Sequence, residues 1–462
     1  MNKNITNKFF IISLFSVFTL LASCKKSIEL DEIGKFTSET AIQSDADIAA
    51  LLNSSYFAIA TDDYYGGSYQ VYSELLADHI DGLNLGGNNL GMYTRNTNIF
   101  NADNSSFYAQ MSKIVFQSNL TLDNISKATD ANKPLFEGGA KFLRALAHFD
   151  IVRLYAQPYT VSGAASQPGI PLRLNSTRQQ LARSSVAEVY AQIIKDLKEA
   201  ETLLPASNGV YANKWAAKAL LAKVYFQMND FTNAYTYSND VISNGGFVSD
   251  TSFRHRYSNG RSKEVIFGLT YETANPQGRF QRLRGNFNTT NAGLPNLRLS
   301  NNIYTRATAN SNDKRANWYI LKSGFPLLNK FDSATIIMPV IHLTEIRLIR
   351  AEAAAETNQN LAVAVADMNF IITRAYGANS SLLLSVGSGA AAVKEAVRRE
   401  HELEMIGEGN RLHELKRRGA KGETVTIRGA AFNCDGLIFP FPNNEVIYSS
   451  PLLIQNPTGG CN

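Results

Sequence analysis

The residues that could do chemistry stop short of complete sets. His401-Glu402-Leu403-Glu404-Met405 opens like the zinc-protease helix, where two histidines one turn apart hold the metal, but Met405 occupies the second ligand position. Gly387-Ser388-Gly389 followed by Ala392 has the spacing of a dinucleotide-binding turn. That turn works only inside a βαβ unit, and helical sequence surrounds it here. There is no G-x-S-x-G nucleophile elbow, and the 6 His are scattered, with His148 inside a helical pattern where packing explains it better than ligation. Carboxylates are plentiful, yet nothing singles out a pair for glycoside cleavage, since their separation is a property of the folded chain. The sequence therefore predicts no catalytic residue, no metal site and no cofactor.

Binding asks for less. Sugars present apolar C–H faces that lie on aromatic rings, and hydroxyls that pair with amide, carboxylate and guanidinium groups. Two polar segments offer both. One carries Tyr64, Tyr65 and Tyr69, then Asn84, Tyr93 and Arg95; the other runs from Tyr304 to Trp318 and Tyr319. Each ring has a second reading, in which it packs its loop onto the scaffold, and both stay open at this stage. A flat aromatic platform would indicate oligosaccharide, and a groove lined by charge would favour peptide.

The elements that must position these loops are helices. Ser185-x-x-Glu188 has capping-box spacing, and Val186, Val189, Tyr190, Ile193, Leu197, Ala200 and Leu204 form one apolar stripe that Pro205 ends. Residues 213–228 and 231–242 read as a helix pair about an Asn229-Asp230 turn, and Leu221-Ala222, Tyr225 and Ala234 match part of the tetratricopeptide spacing. Further pairs are expected at 108–126 with 137–155 and at 342–357 with 361–376, and a helix at 393–406. Between them lies an insertion over about 245–340, whose residues 245–317 are rich in Gly, Asn, Thr and Arg and too long for a plain loop, so they read as short strands and irregular structure, with 264–270 the best strand. Residues 437–462 read as extended and Pro-rich. The predicted fold is mostly α: a tetratricopeptide-like helix-hairpin scaffold carrying a large irregular insertion. Glu400 falls on the apolar stripe of its helix with Val393, Ala396 and Val397, so it needs a partner; Arg411 is the nearest, giving an expected internal clamp of Glu400, Glu404 and Arg411.

Composition excludes some classes of function. Lys+Arg 45 against Asp+Glu 40 leaves a net charge of +5 spread along the chain, with no basic stripe of the kind that binds nucleic acid. At the N-terminus, Lys3 and Lys8 precede an apolar run from Phe9 to Ala22, too short to span a bilayer, and Leu21-Ala22-Ser23-Cys24 follows. This is the pattern of a signal peptide over 1–23 ending in a bacterial lipobox, with Cys24 acylated and a polar tether after it. The other two of the 3 Cys, Cys434 and Cys461, are free thiols or a disulfide.

Four stretches resemble the SusD/RagB family. Residues 144–155, ending Val152-Arg153-Leu154-Tyr155 before Pro158, resemble its early helix, with Ala156 where Gly is usual. Gly169-Ile170-Pro171-Leu172 and the helix after Arg183-Ser184-Ser185 follow. Glu400-x3-Glu404-x2-Gly407-Glu408-Gly409-x-Arg411 resembles its signature, although Leu412-His413-Glu414 replaces the usual two aromatics and Asp. Phe439-Pro440-Phe441-Pro442 with Glu445, then Gln455-Asn456-Pro457, resembles its ending. The resemblance implies one SusD-like domain over 24–462, anchored in the outer membrane by lipid alone and exposed at the cell surface. It also implies an oligosaccharide ligand, or in some relatives a peptide, passed to a SusC-like TonB-dependent transporter, with ligand loops near the two aromatic segments. A scaffold that holds a protein and binds no nutrient is the further alternative.

Overall fold

The computed structural model describes residues 41–250, 257, 262–269, 280–290, 292–333 and 336–461. Cys24 and the expected signal peptide lie outside them. The described residues hold fifteen α-helices and eight short strands. No helix among them is long and apolar enough to cross a membrane.

The helices stack in chain order. They are α1 (Asp45–Ile59), α2 (Ser68–Leu76), α3 (Gly87–Tyr93), α4 (Ala102–Asp123), α5 (Lys133–Tyr155), α6 (Val186–Leu203), α7 (Lys214–Gln227) and α8 (Phe231–Asn244). After the insertion come α11 (Leu343–Thr357), α12 (Leu361–Tyr376), α13 (Ala390–Glu404), α14 (Arg411–Ala420) and α15 (Asn443–Tyr448), with α9 (Gln281–Phe287) and α10 (Asn301–Thr308) inside it. Helix α1 packs on α4, α4 on α5, α5 on α6, α6 on α7, α7 on α8, α8 on α11, and α11 on both α12 and α13. Helix pairs of this kind bury a continuous core by stacking, the logic of a helical repeat.

Local chemistry sets the boundaries. The Ser185 hydroxyl accepts from the Glu188 N–H at 3.2 Å while the Glu188 carboxylate accepts from the Ser185 N–H at 2.7 Å, so the expected capping box starts α6. Asn213 and Asp230 cap α7 and α8 through their side-chain oxygens. Asn229 makes the turn between them in the left-handed conformation, φ 61°, which Asn tolerates. Ala216, Ala217, Ala219 and Ala222 are fully buried on α7, small enough to bring neighbouring helices close, and Tyr225 stacks on Tyr237 with centroids 5.6 Å apart.

The insertion is built from small two-stranded pieces. β1 (Ile80–Asp81) pairs with β3 (Arg298–Leu299), β2 (Val265–Leu269) with β6 (Met338–His342), and β4 (Tyr319–Lys322) with β5 (Phe325–Leu328), all antiparallel. Ser323 and Gly324 join β4 to β5 with φ of 53° and 82°, the backbone a tight hairpin requires. A fourth pair, β7 (Thr426–Ile427) with β8 (Ala430–Ala431), lies beyond α14.

The C-terminal stretch departs from expectation, because α15 interrupts what the prolines suggested was extended throughout. The tail is nonetheless anchored by its signature residues. Phe439 and Phe441 are fully buried beside Tyr155, Gln455 exchanges hydrogen bonds of 2.8 and 2.7 Å with the Phe441 backbone, and the Asn456 amide donates to the carbonyls of Tyr155 and Phe439. Cys434 and Cys461 are joined as a disulfide.

Candidate functional site

Several residues expected to meet ligand are structural. Tyr64, Tyr65 and Tyr69 are 0%, 5% and 3% exposed, in the core and not on a surface platform. The reason is Asp150 on α5, a buried carboxylate that must be satisfied: it accepts from the Tyr64 and Tyr65 hydroxyls at 2.5 and 2.8 Å and pairs with Arg153, which donates to Tyr69 at 2.8 Å. Burial and the Asp150 charge push the Tyr64 and Tyr65 phenols well up, so they stay neutral donors. Trp318 and Tyr319 are likewise buried, Trp318 edge-on to Tyr257 and Tyr319 donating to the Leu403 carbonyl at 3.3 Å.

The clamp exists with a different cation. Glu400 and Glu404 are fully buried, but the arginine facing both is Arg315 from the insertion, at 2.6 and 3.4 Å; Arg374 adds a bond to Glu404 at 2.7 Å. Arg411 points elsewhere, forking onto Asp78 at 2.8 and 2.9 Å and reaching Glu402 at 3.0 Å. The chain reverses at Gly407 and Gly409, with φ of 75° and 80°, where a Cβ would strike Leu328 at 2.7 Å and Tyr69 at 2.8 Å. Glu408 between them turns inward to accept from Lys330 at 2.6 Å and lies 3.1 Å from His342. The signature is a buried electrostatic knot.

The remaining candidates share one edge. Pairing of β1 with β3 draws the 81–95 loop and α10 together. Asn84 is exposed and faces Arg298, its amide oxygen accepting at 2.5 Å when turned toward the guanidinium. Tyr304 is half-buried. Tyr93 is half-buried beneath the Arg428 guanidinium at 3.8 Å, and Arg95 is buried, donating to the Ile427 carbonyl. Burial, with Arg428 nearby, brings Arg95 down to about 10. Of these four, Asn84 is exposed, Tyr304 and Tyr93 are partly accessible, and Arg95 is withdrawn into the fold. His148 is packed as expected: burial holds its pKa down at about 3, and the ring is neutral.

A deeper concavity lies where sequence reasoning named no ligand residue. A groove of about 590 Å³ runs between one face of α4, the 173–178 loop and α15. The α4 wall presents Ser105, Tyr108, Ala109, Ser112, Lys113 and Phe116, spaced as one helical stripe. Phe116 is 49% exposed and Tyr448 half-buried on the opposite wall, with Arg178 over the Tyr448 ring at 4.8 Å. The walls are braced from behind. Asn119 donates to the carbonyls of Arg173 and Asn175 at 3.0 and 3.1 Å and accepts from Arg144, which forks onto Asp196; Asp123 accepts from the Ser176 N–H at 2.7 Å. Arg173 ties the loop to α15 through Glu445 at 2.7 Å. One signal could have found it: Phe116 sits off the buried stripe of α4 made by Phe107, Met111, Ile114, Val115 and Ser118, an aromatic on the outer face of its helix.

The groove does not resemble a reaction centre. Its lining carries a single carboxylate, Glu445, already taken by Arg173, whereas glycoside cleavage uses two. A second ionisable cluster, with His401 3.4 Å from Glu414, borders a cavity of only about 30 Å³, room for about one water. Among the described residues no group of three or more His, Cys, Asp or Glu is placed to hold a metal ion.

The fold is a helical repeat with a braced groove on its surface. Comparison with known proteins makes the class specific. A family model described as "Starch-binding associating with outer membrane" matches residues 32–226, and one described as "SusD family" matches residues 223–448. SusD-like protein P2 of Formosa agariphila is 23% identical over 96% of this chain and 99% of its own. A SusD superfamily protein from Bacteroides vulgatus superposes with a TM-score of 0.78 at 22% identity, covering 90% of this chain and 99% of that one. A laminarin-binding SusD-like protein superposes with a TM-score of 0.69 at 19% identity, covering 90% and 100%. This chain belongs to the SusD family, a family of carbohydrate-binding, non-catalytic proteins.

Proposed function

We propose that this chain is a lipid-anchored protein of the cell surface that captures oligosaccharides and delivers them to a SusC-like TonB-dependent outer-membrane transporter. The observation that carries the binding role is the α4–α15 groove: pre-braced walls, an exposed phenylalanine, a tyrosine, and amide, hydroxyl and guanidinium groups around them. A site whose side chains are fixed beforehand loses little entropy when a flexible chain settles into it. The lipobox at Cys24 supports the anchor, with residues 24–462 as one domain. The edge bearing Asn84 and Tyr304 is a second contact surface in this reading.

Capture of peptides is the second reading, favoured by the charge of the groove, which presents Lys113, Arg173 and Arg178. Retention of the mature chain on a panel of immobilised glycans and peptides separates the two. The expected result is retention on a glycan class, with Phe116→Ala weakening it by about 1–2 kcal/mol, as loss of a stacking ring does. Retention on peptides alone would replace the glycan reading. Pull-down of a β-barrel transporter from outer membranes tests the partnership, and a soluble Cys24→Ala protein tests the anchor.

A further inference from the structure

Building on the glycan-binding reading, we infer that the groove between α4 and α15 selects acidic oligosaccharides, whose carboxylate or sulfate groups meet Lys113 and Arg178. The lining holds three cations and one carboxylate. Glu445 neutralises Arg173 at 2.7 Å, which leaves the other two charges unanswered. Lys113 and Arg178 are both exposed, and neither has a carboxylate partner among the described residues. They stand on different walls, Lys113 on α4 and Arg178 on the loop, so an anion in the groove can meet both. Stacking on Tyr448 holds the Arg178 guanidinium in place, and such a planar fork matches a carboxylate or sulfate. Phe116 lies one helical turn from Lys113 on the same face. That places an apolar ring surface next to a positive charge, the pairing an acidic sugar ring requires.

An extended acidic peptide satisfies the charge but not the shape. Extended peptides are commonly held by adding a strand to an exposed sheet edge, and the walls here are two helices and a loop. No strand edge borders the groove among the described residues.

The test is titration calorimetry of the mature chain at physiological salt with four probes: oligogalacturonate, a sulfated carrageenan oligosaccharide, neutral maltoheptaose and polyglutamate. The expected result is that one anionic sugar binds roughly tenfold or more tighter than maltoheptaose, and that K113Q/R178Q removes this advantage. Both side chains are exposed, so the variant keeps the wild-type fold, which circular dichroism verifies. The first two probes distinguish carboxylate from sulfate recognition. Neutral sugar binding as tightly as both acids overturns the acidic preference while leaving glycan binding intact. So does acidic-sugar binding that K113Q/R178Q leaves unchanged, because the ligand then sits elsewhere. Polyglutamate bound through Lys113 and Arg178 more tightly than either sugar replaces the sugar with a peptide. If no saccharide binds, the glycan reading falls, and this inference with it.

Discussion

Replacing Arg315 by Leu removes the cation that faces two carboxylates held wholly out of water. Arg315 is 0% exposed and donates to Glu400 at 2.6 Å, Asp313 at 2.9 Å and the Tyr376 hydroxyl at 2.8 Å, with Glu404 at 3.4 Å. Its protonated form is held firmly against burial by Glu400 and Asp313. Glu400 would keep Arg399 and Glu404 would keep Arg374, but Asp313, 4% exposed, would lose its ion-pair partner, and the expected loss is about 3–5 kcal/mol. Arg411→Leu is the informative comparison, because spacing alone assigned the clamp to that residue. Its partners stay hydrated or shared: Asp78 is 25% exposed, and Glu402 retains Arg306 and His79. The expected loss there is roughly 1–2 kcal/mol. Urea denaturation followed by tryptophan fluorescence reads both, with buried Trp318 reporting from the affected layer. Replacing Arg315, Glu400 and Glu404 by Leu and Asp313 by Asn together should recover much of the loss, since no buried carboxylate is then left unpaired and Arg374 keeps Glu264. An Arg315→Leu cost below about 1 kcal/mol, or a larger cost for Arg411→Leu, would refute the assignment.

Two further perturbations follow from the same kind of accounting. Burial alone would depress His79, but its hydrogen bonds to Glu402 and Glu74 raise it to about 9, so the stabilisation is whole below pH about 6.5 and is lost as pH climbs to 9. His79→Gln should therefore cost up to about 3 kcal/mol at pH 6 and little above pH 9, and a pH-independent cost in urea melts would contradict this. The Cys434–Cys461 bridge spans 27 residues, for which loop-closure entropy gives about 3–4 kcal/mol; the double Ser variant, or reductant, should lower stability by that order, and a free-thiol count of two in native protein would exclude the bridge.

What could be read from the chain, and what could not, divides along the range of the interactions. Helices α6, α7, α8, α11 and α12 lie within a few residues of their expected bounds because periodicity and caps act over one turn, as at Ser185 and Glu188. The strand at 265–269 was visible for the same reason. Helices α1, α2 and α14 were not singled out: α2, for instance, is buried on every face, so its polar residues Gln70, Ser73 and Glu74 also point inward and mark no solvent side. The tyrosines at 64, 65 and 69 look like a surface cluster until Asp150 and Arg153 arrive from 85 residues away. The same distance in sequence separates Arg315 from Glu400, and no spacing rule reaches it. The groove needs α4, the 173–178 loop and α15 to converge, and α15 falls in a stretch that read as extended.

Helix α8 packs directly on α11, although about a hundred residues of insertion separate them. The insertion is thus a detour from a stack that closes behind it, and this gives assembly an order. Helices α4 to α8 can associate through neighbours in sequence, rapidly and with small loops to close. The α8–α11 contact closes a loop of about a hundred residues, so α11 to α13 are expected to join after α4 to α8, and the buried knot that unites Arg315 of the detour with Glu400 of the stack waits on that closure.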